Sequence, residues 1–211
     1  MTPKQRDYEN KAKTIIRNMK KRRLEGYYFP DSASAVAKIV EMIPSGSSIG
    51  WGGTMTVQET GLMEALQAGD YDLIDRTMAG SPKELRQFYN RMFAADYFLM
   101  SSNAVTMDGE LINIDGNGNR VACLCYGPEF VIVIVGMNKV VTDVDAGLKR
   151  ARLFAAPTNG VRLGLKTPCA VTGKCEDCFS EECMCGQFVV TRHSSREGRI
   201  KVFLIGEELG Y

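Results

Sequence analysis

Residues 130–135 read Phe-Val-Ile-Val-Ile-Val, six apolar side chains in a row with Gly136 behind them. The run has the length of a strand and is dominated by β-branched residues, three valines and two isoleucines. Side chains alternate between the faces of a strand, so a run with no polar member must be covered on both faces. A sheet with one wet face does not meet that demand. A mainly parallel sheet with helices on each side does.

The first half of the chain supplies such layers. Tyr8, Ala12, Ile15, Ile16 and Met19 recur at helical spacing and predict a helix over 7–24 that ends at Gly26. A short aromatic strand follows at 27–29. Asp31 or Ser32 can cap a second helix with Val36, Ala37, Val40 and Ile43 inside, stopped by Pro44-Ser45-Gly46. Strands are expected at 47–50, 71–74 and 94–101. Between them fall a helix from about Thr56, burying Leu62, Met63 and Leu66, and another opened by Ser81-Pro82. Beyond residue 103 the pattern changes to a hairpin, 104–106 and 111–114, turned at Asp108-Gly109. Residues 120–126 follow a Gly-Asn-Gly-Asn turn and read as extended, which puts Cys123 and Cys125 on one face of a strand. A helix is expected at 144–154, then strands at 188–191 and 200–205. The 211 residues fit one domain, with a core at about 11–155, a cysteine-rich segment at 169–185 and closing strands at 187–205.

Charge narrows the partners. Lys and Arg number 26 against 25 Asp and Glu, so no global field attracts nucleic acid or an anionic membrane. The basic cluster at 20–23 reads as a solvated helix end. No apolar run approaches the roughly 20 residues of a membrane helix. The polar N-terminus lacks the apolar core of a secretory signal, which leads to a cytoplasmic expectation.

Gly50-Trp-Gly-Gly-Thr-Met-Thr56 stands where a strand meets a helix. Ligands of open α/β sheets bind at the carboxyl ends of strands, glycines admit close backbone approach, and helix N-termini favour anions. The loop is neither a Walker A nor a G-x-G-x-x-G motif, so no nucleotide is indicated. A tight turn with a threonine cap explains the same residues equally well.

Three further segments shift that balance: 101–110 (Ser-Ser-Asn-Ala-Val-Thr-Met-Asp-Gly-Glu), 115–120 (Asp-Gly-Asn-Gly-Asn-Arg), and 126–141, from Tyr-Gly-Pro to Met-Asn-Lys-Val-Val. With the glycine loop before them, in this order, the chain resembles the LUD (lactate-utilisation) domain family over roughly residues 11–149. One departure is Met107, which stands where an acidic residue is common. The resemblance implies the fold of ribose-phosphate isomerases, glucosamine-phosphate deaminases and CoA transferases. It also implies a small anionic metabolite: an organic acid, a sugar phosphate or a CoA ester. Carried onto this chain, Gly52, Gly53, Thr54 and Thr56 would contact the anion. Asn103, Thr106 and Asp108 would line the opposite wall, and Lys139 would supply charge or a proton.

Lys139 leaves an apolar strand after Gly136, so its stem can be buried with the ammonium facing a pocket, and it is the leading candidate for chemistry. An ordinary charge at a strand exit is the alternative. Asp108 is its candidate partner, although Asp-Gly is also plain turn chemistry. Glu110 is the nearest candidate for the nucleophilic carboxylate of a CoA transferase. Glu59 suits a helix N-terminus, Trp51 can stack on a ligand or plug the loop base, and His193, the only histidine, excludes a two-histidine metal site.

Five of the seven cysteines form the pattern Cys169-x5-Cys175-x2-Cys178-x4-Cys183-x-Cys185. That clustering suits a soft cation, and the C-x-x-C bite occurs in both zinc and iron–sulfur sites. Reduced thiols or disulfides remain open. The family resemblance extends to this tail and implies Cys169, Cys175, Cys178 and Cys185 as ligands, with Cys183 the extra member. An accessory subunit docking a flavoprotein or iron–sulfur partner is the rival reading to a metabolite-binding protein. Assembly as a homodimer is an open expectation.

Overall fold

The computed structural model describes residues 1–211. Helix α1 (Pro3–Lys21) starts with a capping box, the Gln5 amide donating to the Thr2 hydroxyl and the Thr2 amide to the Gln5 side chain. It buries Ala12, Ile15 and Met19. The helix ends before Arg23, which takes the left-handed conformation (φ 58°). Gly26, the expected terminator, instead lies inside β1 (Glu25–Phe29). A Cβ there would sit 3.0 Å from the Ile16 side chain, so this glycine serves the close packing of α1 on β1.

Helix α2 (Ser32–Met42) is capped by Asp31, whose carboxylate accepts from the Ser34 amide at 2.8 Å. Its buried stripe runs through Ala35 and Ile39 and on to Ile43. Ala37 is exposed, so the helix is rotated from the expected face. Strand β2 (Ser48–Trp51) leads into α3 (Met55–Glu59) and α4 (Leu62–Gln67). Then come β3 (Asp72–Ile74), α5 (Pro82–Phe93) capped by Ser81, and β4 (Tyr97–Met100). The hairpin is β5 (Ala104–Thr106) with β6 (Leu111–Asp115).

Residues 119–125 correct the sequence reading: they form helix α6 (Asn119–Cys125), not a strand. Asp115 accepts hydrogen bonds from the amides of Asn117, Gly118 and Val121, meeting donors at the helix start. At the other end Arg199 donates to the carbonyls of Cys123 and Leu124 at 2.8 and 2.6 Å. Cys123 is therefore buried and Cys125 exposed, on different sides of a helix. The capping arginine lies more than seventy residues away in sequence, out of reach of any local pattern.

Strand β7 (Phe130–Gly136) is followed by a 3-10 turn, β8 (Val140–Val141) and α7 (Val144–Arg150). The helix does not stop at 154. It passes through a π turn (Ala151–Ala155) into α8 (Ala156–Arg162). Pro157 lacks an amide proton and crowds the preceding turn, and the π turn lies directly before it. The chain closes with α9 (Pro168–Thr172), β9 (Gln187–Thr191) and β10 (Ile200–Ile205).

Six parallel strands form the main sheet in the order β1-β10-β7-β4-β2-β3. Central β7 sends Val131, Val133 and Val135 into one apolar layer with α1, and Ile132 and Ile134 into the other with α2 and α4. The two-sided burial demanded by its sequence is thus met. A second sheet, β8-β5-β6-β9, carries the hairpin, and β9 pairs antiparallel with β6. Strand β10 sits between edge strand β1 and β7, so the last strand of the chain takes an interior place in the main sheet. No helix is long and apolar enough to cross a membrane.

Phe203 of β10 is fully buried and stacks on Tyr27 and Phe29, with ring centroids 4.8 and 5.9 Å away. Phe203→Ala should cost about 3–5 kcal/mol of unfolding free energy, read by urea denaturation. A loss below about 1 kcal/mol would show that β10 is not part of the cooperative core.

Candidate functional site

The carboxyl ends of β2, β4 and β7 open onto one cleft of about 320 Å³. Gly53 to Thr56 after β2, Ser101 to Asn103 after β4, and Lys139 after β7 form its floor. Asp115 to Asn117, Arg120 and the π turn with Asn159 and Arg162 form its walls. The loops after β2, β4 and β7 leave the same edge of the main sheet, as parallel topology requires, and the segment after β6 of the second sheet closes over them.

Lys139 is only 2% exposed. Its Nζ donates to Thr56 Oγ1 at 2.8 Å and Ser101 Oγ at 3.0 Å and has no carboxylate partner. Burial, reinforced by the positive charges of Arg150 and Arg120, pushes its pKa down to about 7, against a smaller opposing pull from Glu59. The amine is held by neutral hydroxyls and titrates near neutrality.

Arg120 is the other anchor, its side chain 14% exposed. Its guanidinium donates to the Ser101 carbonyl at 3.1 Å, the Ile114 carbonyl at 2.7 Å and the Asn113 side chain. It also reaches Asn103 Oδ1 at 3.4 Å, tying the β4 exit to the end of β6. Burial lowers its pKa from the usual arginine value. Asp115 lies 3.6 Å from Arg120 Nε, but its oxygens already serve the start of α6. Gly52 packs directly on the Arg120 stem, where a Cβ would meet Cδ at 3.0 Å. This position is glycine because the β2 exit and α6 approach so closely.

Of the residues singled out in the sequence, Gly53, Thr54, Thr56, Asn103 and Lys139 share the cleft. Gly52 lies just behind it, against Arg120. Thr106 and Asp108 do not line it. Thr106 is fully buried in the second sheet and bonded to Glu110. Asp108 is exposed at the hairpin tip, beside Lys21, Arg22 and His193. The expected Lys139–Asp108 pair is not formed, because the hairpin carries its turn back toward α1, where Arg22 donates to the Asp108 carbonyl. Glu110 is paired with Arg22, away from the cleft. Trp51 packs against the core, and Glu59 accepts from the Gly210 amide. Exposed His193 takes no part in the cleft.

Sequence reading missed Arg76, Ser101, Arg120 and Arg162. Arg120 closed a quoted glycine-asparagine segment, but its reading as strand hid the helix that aims it. Arg76 and Arg162 carry no motif; tertiary packing alone brings them in.

The five tail cysteines, 169, 175, 178, 183 and 185, line a second pocket that shares Ala156 and Met184 with the cleft. Burial and the neighbouring sulfurs push the Cys185 thiol up to about 12. Arg152 lies 3.4 Å from Cys175 Sγ. Five soft donors suit a thiophilic metal, yet no three His, Cys, Asp or Glu side chains converge to hold one ion.

A mainly parallel α/β domain with a cation-rich cleft at its strand ends is the class these features define. The chain belongs to the LUD domain family, matching that domain over residues 12–205. It is similar to a crystal structure of a DUF162 family protein from Deinococcus radiodurans, with a TM-score of 0.55 at 12% identity, covering 94% of this chain and 98% of that one. At that identity the likeness shows the fold alone. A weaker likeness is to eIF2B delta from Chaetomium thermophilum, at 17% identity and a TM-score of 0.37 over 57% of this chain and 54% of that one. None of the curated proteins compared matches the chain.

Lys139 makes a stability prediction. Its amine titrates at about 7 in the fold and near 10.5 in the unfolded chain, so between those values the unfolded chain binds the extra proton. This group's contribution to stability therefore rises with pH across that window, by up to about 1.4 kcal/mol per pH unit. Lys139→Met should remove that component and leave stability at pH 6 equal or higher. Identical pH slopes for the two proteins in chemical denaturation would contradict the burial argument.

Proposed function

We propose that this LUD domain binds a small anionic metabolite of the lactate-utilisation type in the cleft, with Lys139 and Arg120 as its principal charges. One observation carries this reading. Arg76, Arg120, Lys139 and Arg162 line the cleft against a single carboxylate, Asp115, whose oxygens are already committed. Lys139 and Arg120 are nearly out of solvent, whereas Arg76 is half-buried and Arg162 exposed. Buried cations with so little counter-charge are costly, and an anionic guest would relieve that cost. Thr54 and the exposed backbone at Gly53 offer further donors. Ligand pockets run from about 300 to 1,000 Å³, and this cleft is at the small end. That favours an organic acid or sugar phosphate over a whole CoA ester. A CoA-transferase reading gains nothing, since Glu110 is held by Arg22 and Thr106.

Thermal-shift titrations with lactate, phosphate, sugar phosphates and CoA test this. At least one anion should raise the melting temperature, and Lys139→Met should abolish most of the shift while Asp108→Ala leaves it intact. Because the bound anion favours the ammonium form, affinity should be flat below pH 7 and weaken by up to about tenfold per unit above it. Equal shifts in wild type and Lys139→Met would reject the assignment.

A second reading has its own support. The cysteine pocket gathers soft donors, and Phe179 and Phe188 in its lining are exposed. An accessory subunit would hold zinc or an iron–sulfur cluster there, on Cys169, Cys175, Cys178 and Cys185, and dock a flavoprotein or iron–sulfur partner. Cys169 sits on α9, and the segment between α9 and β9 that carries Cys175, Cys178 and Cys185 has no regular structure, so it can be drawn toward Cys169 without breaking a helix or strand. Metal and sulfide analysis of anaerobically purified protein should then find stoichiometric metal that is lost in Cys175→Ser. Metal-free protein with five freely titrating tail thiols would end this reading.

A further inference from the structure

We infer that Lys139 forms a reversible imine with the carbonyl group of a small anionic substrate, making the cleft a covalent site for an aldehyde or ketone that also bears a carboxylate or phosphate. This rests on the anion-binding reading and specifies the substrate class. Lys139 is the only primary amine lining the cleft, which contains no histidine and no glutamate. Its lone carboxylate, Asp115, is engaged at the start of α6. The cleft therefore lacks a free carboxylate or imidazole base to activate its hydroxyls, and holds one amine, which needs none.

The surroundings of that nucleophile suit attack on a carbonyl. An amine must be neutral to attack, and a carboxylate neighbour would keep it protonated. Here its neighbours are two hydroxyls, Thr56 and Ser101. A neutral amine donating its two N–H groups to them keeps its lone pair free. The positive charges of Arg150 and Arg120 and the loss of water act in the same direction. Arg76 and Arg162 line the cleft from other elements, whereas the Arg120 N–H groups are already taken, so the anionic end of a guest can be anchored apart from the amine.

The step balances without a further reactant. The nitrogen lone pair forms a bond to the carbonyl carbon while the C=O π pair moves to oxygen. One proton passes from nitrogen to that oxygen, with Ser101 or Thr56 within reach as the relay. The carbinolamine then loses its oxygen as water, taking the second nitrogen proton and leaving C=N. Lys139 touches the reacting carbon throughout and is in that sense a catalytic residue.

Borohydride trapping decides the matter. The full-length protein is incubated with pyruvate or glyceraldehyde 3-phosphate and cyanoborohydride, then measured by intact mass and peptide mapping. Lactate and inorganic phosphate, which have no aldehyde or ketone group, serve as controls. One adduct per chain is expected, with the mass of the carbonyl compound less one oxygen, on the peptide carrying Lys139. Excess phosphate should suppress it. Lys139→Arg should keep the phosphate thermal shift and form no adduct at this position. A persisting phosphate shift without a Lys139 adduct, or labelling spread evenly over surface lysines, would overturn the imine and leave the anion site standing. Loss of both adduct and anion-dependent shift would overturn the two readings together. The mapping on wild-type protein stands whether or not the variant folds.

Discussion

Burial of β7 on both faces is the constraint from which the rest of the molecule follows. Its valines face α1 and its isoleucines face α2 and α4, so neither layer can be absent without exposing a continuous apolar surface. Parallel neighbours β10 and β4 align their carboxyl ends with that of β7, and the loops leaving those ends are driven to one edge. Lys139 lies three residues beyond the strand. Its position is thus set by the most deeply packed element in the chain, and a rigid scaffold holds a side chain that solvation would otherwise pull outward.

The cleft spends some of the stability this core provides. A lysine and an arginine lie nearly out of solvent with hydroxyls, carbonyls and amides as their main partners. Desolvation opposes both charges, and the one carboxylate that lines the cleft is shared with a helix start. Such local conflict between burial and charge leaves two positive groups at the strand ends with no carboxylate free to pair with them. Gly52 contributes in the same sense, since its missing Cβ lets the Arg120 stem lie against the β2 exit.

Where local pattern and structure part, a distant partner is the cause in most cases. Residues 120–126 alternate in a way that suits a strand, but Asp115 at one end and Arg199 at the other provide the caps of a helix. The helix from 144 runs on through Pro157 by way of a π turn, against the ordinary rule that proline ends it. Gly26 reads as a helix stop until the α1–β1 contact shows why it must be small. Asp108 reads as a partner for Lys139 only while the path of the hairpin is unknown.

The amino-acid order alone determined the layered α/β class, because side-chain periodicity and strand-end glycines are local properties. It also picked out the loop at 50–56 and Lys139, whose positions follow from strand exits. Tertiary structure alone decided that β10 inserts between β1 and β7 in the main sheet, that Arg76, Arg120 and Arg162 share a cleft with Lys139, and that Asp108 does not. Those outcomes depend on contacts between residues far apart in sequence, whose energies are settled only when the whole core closes.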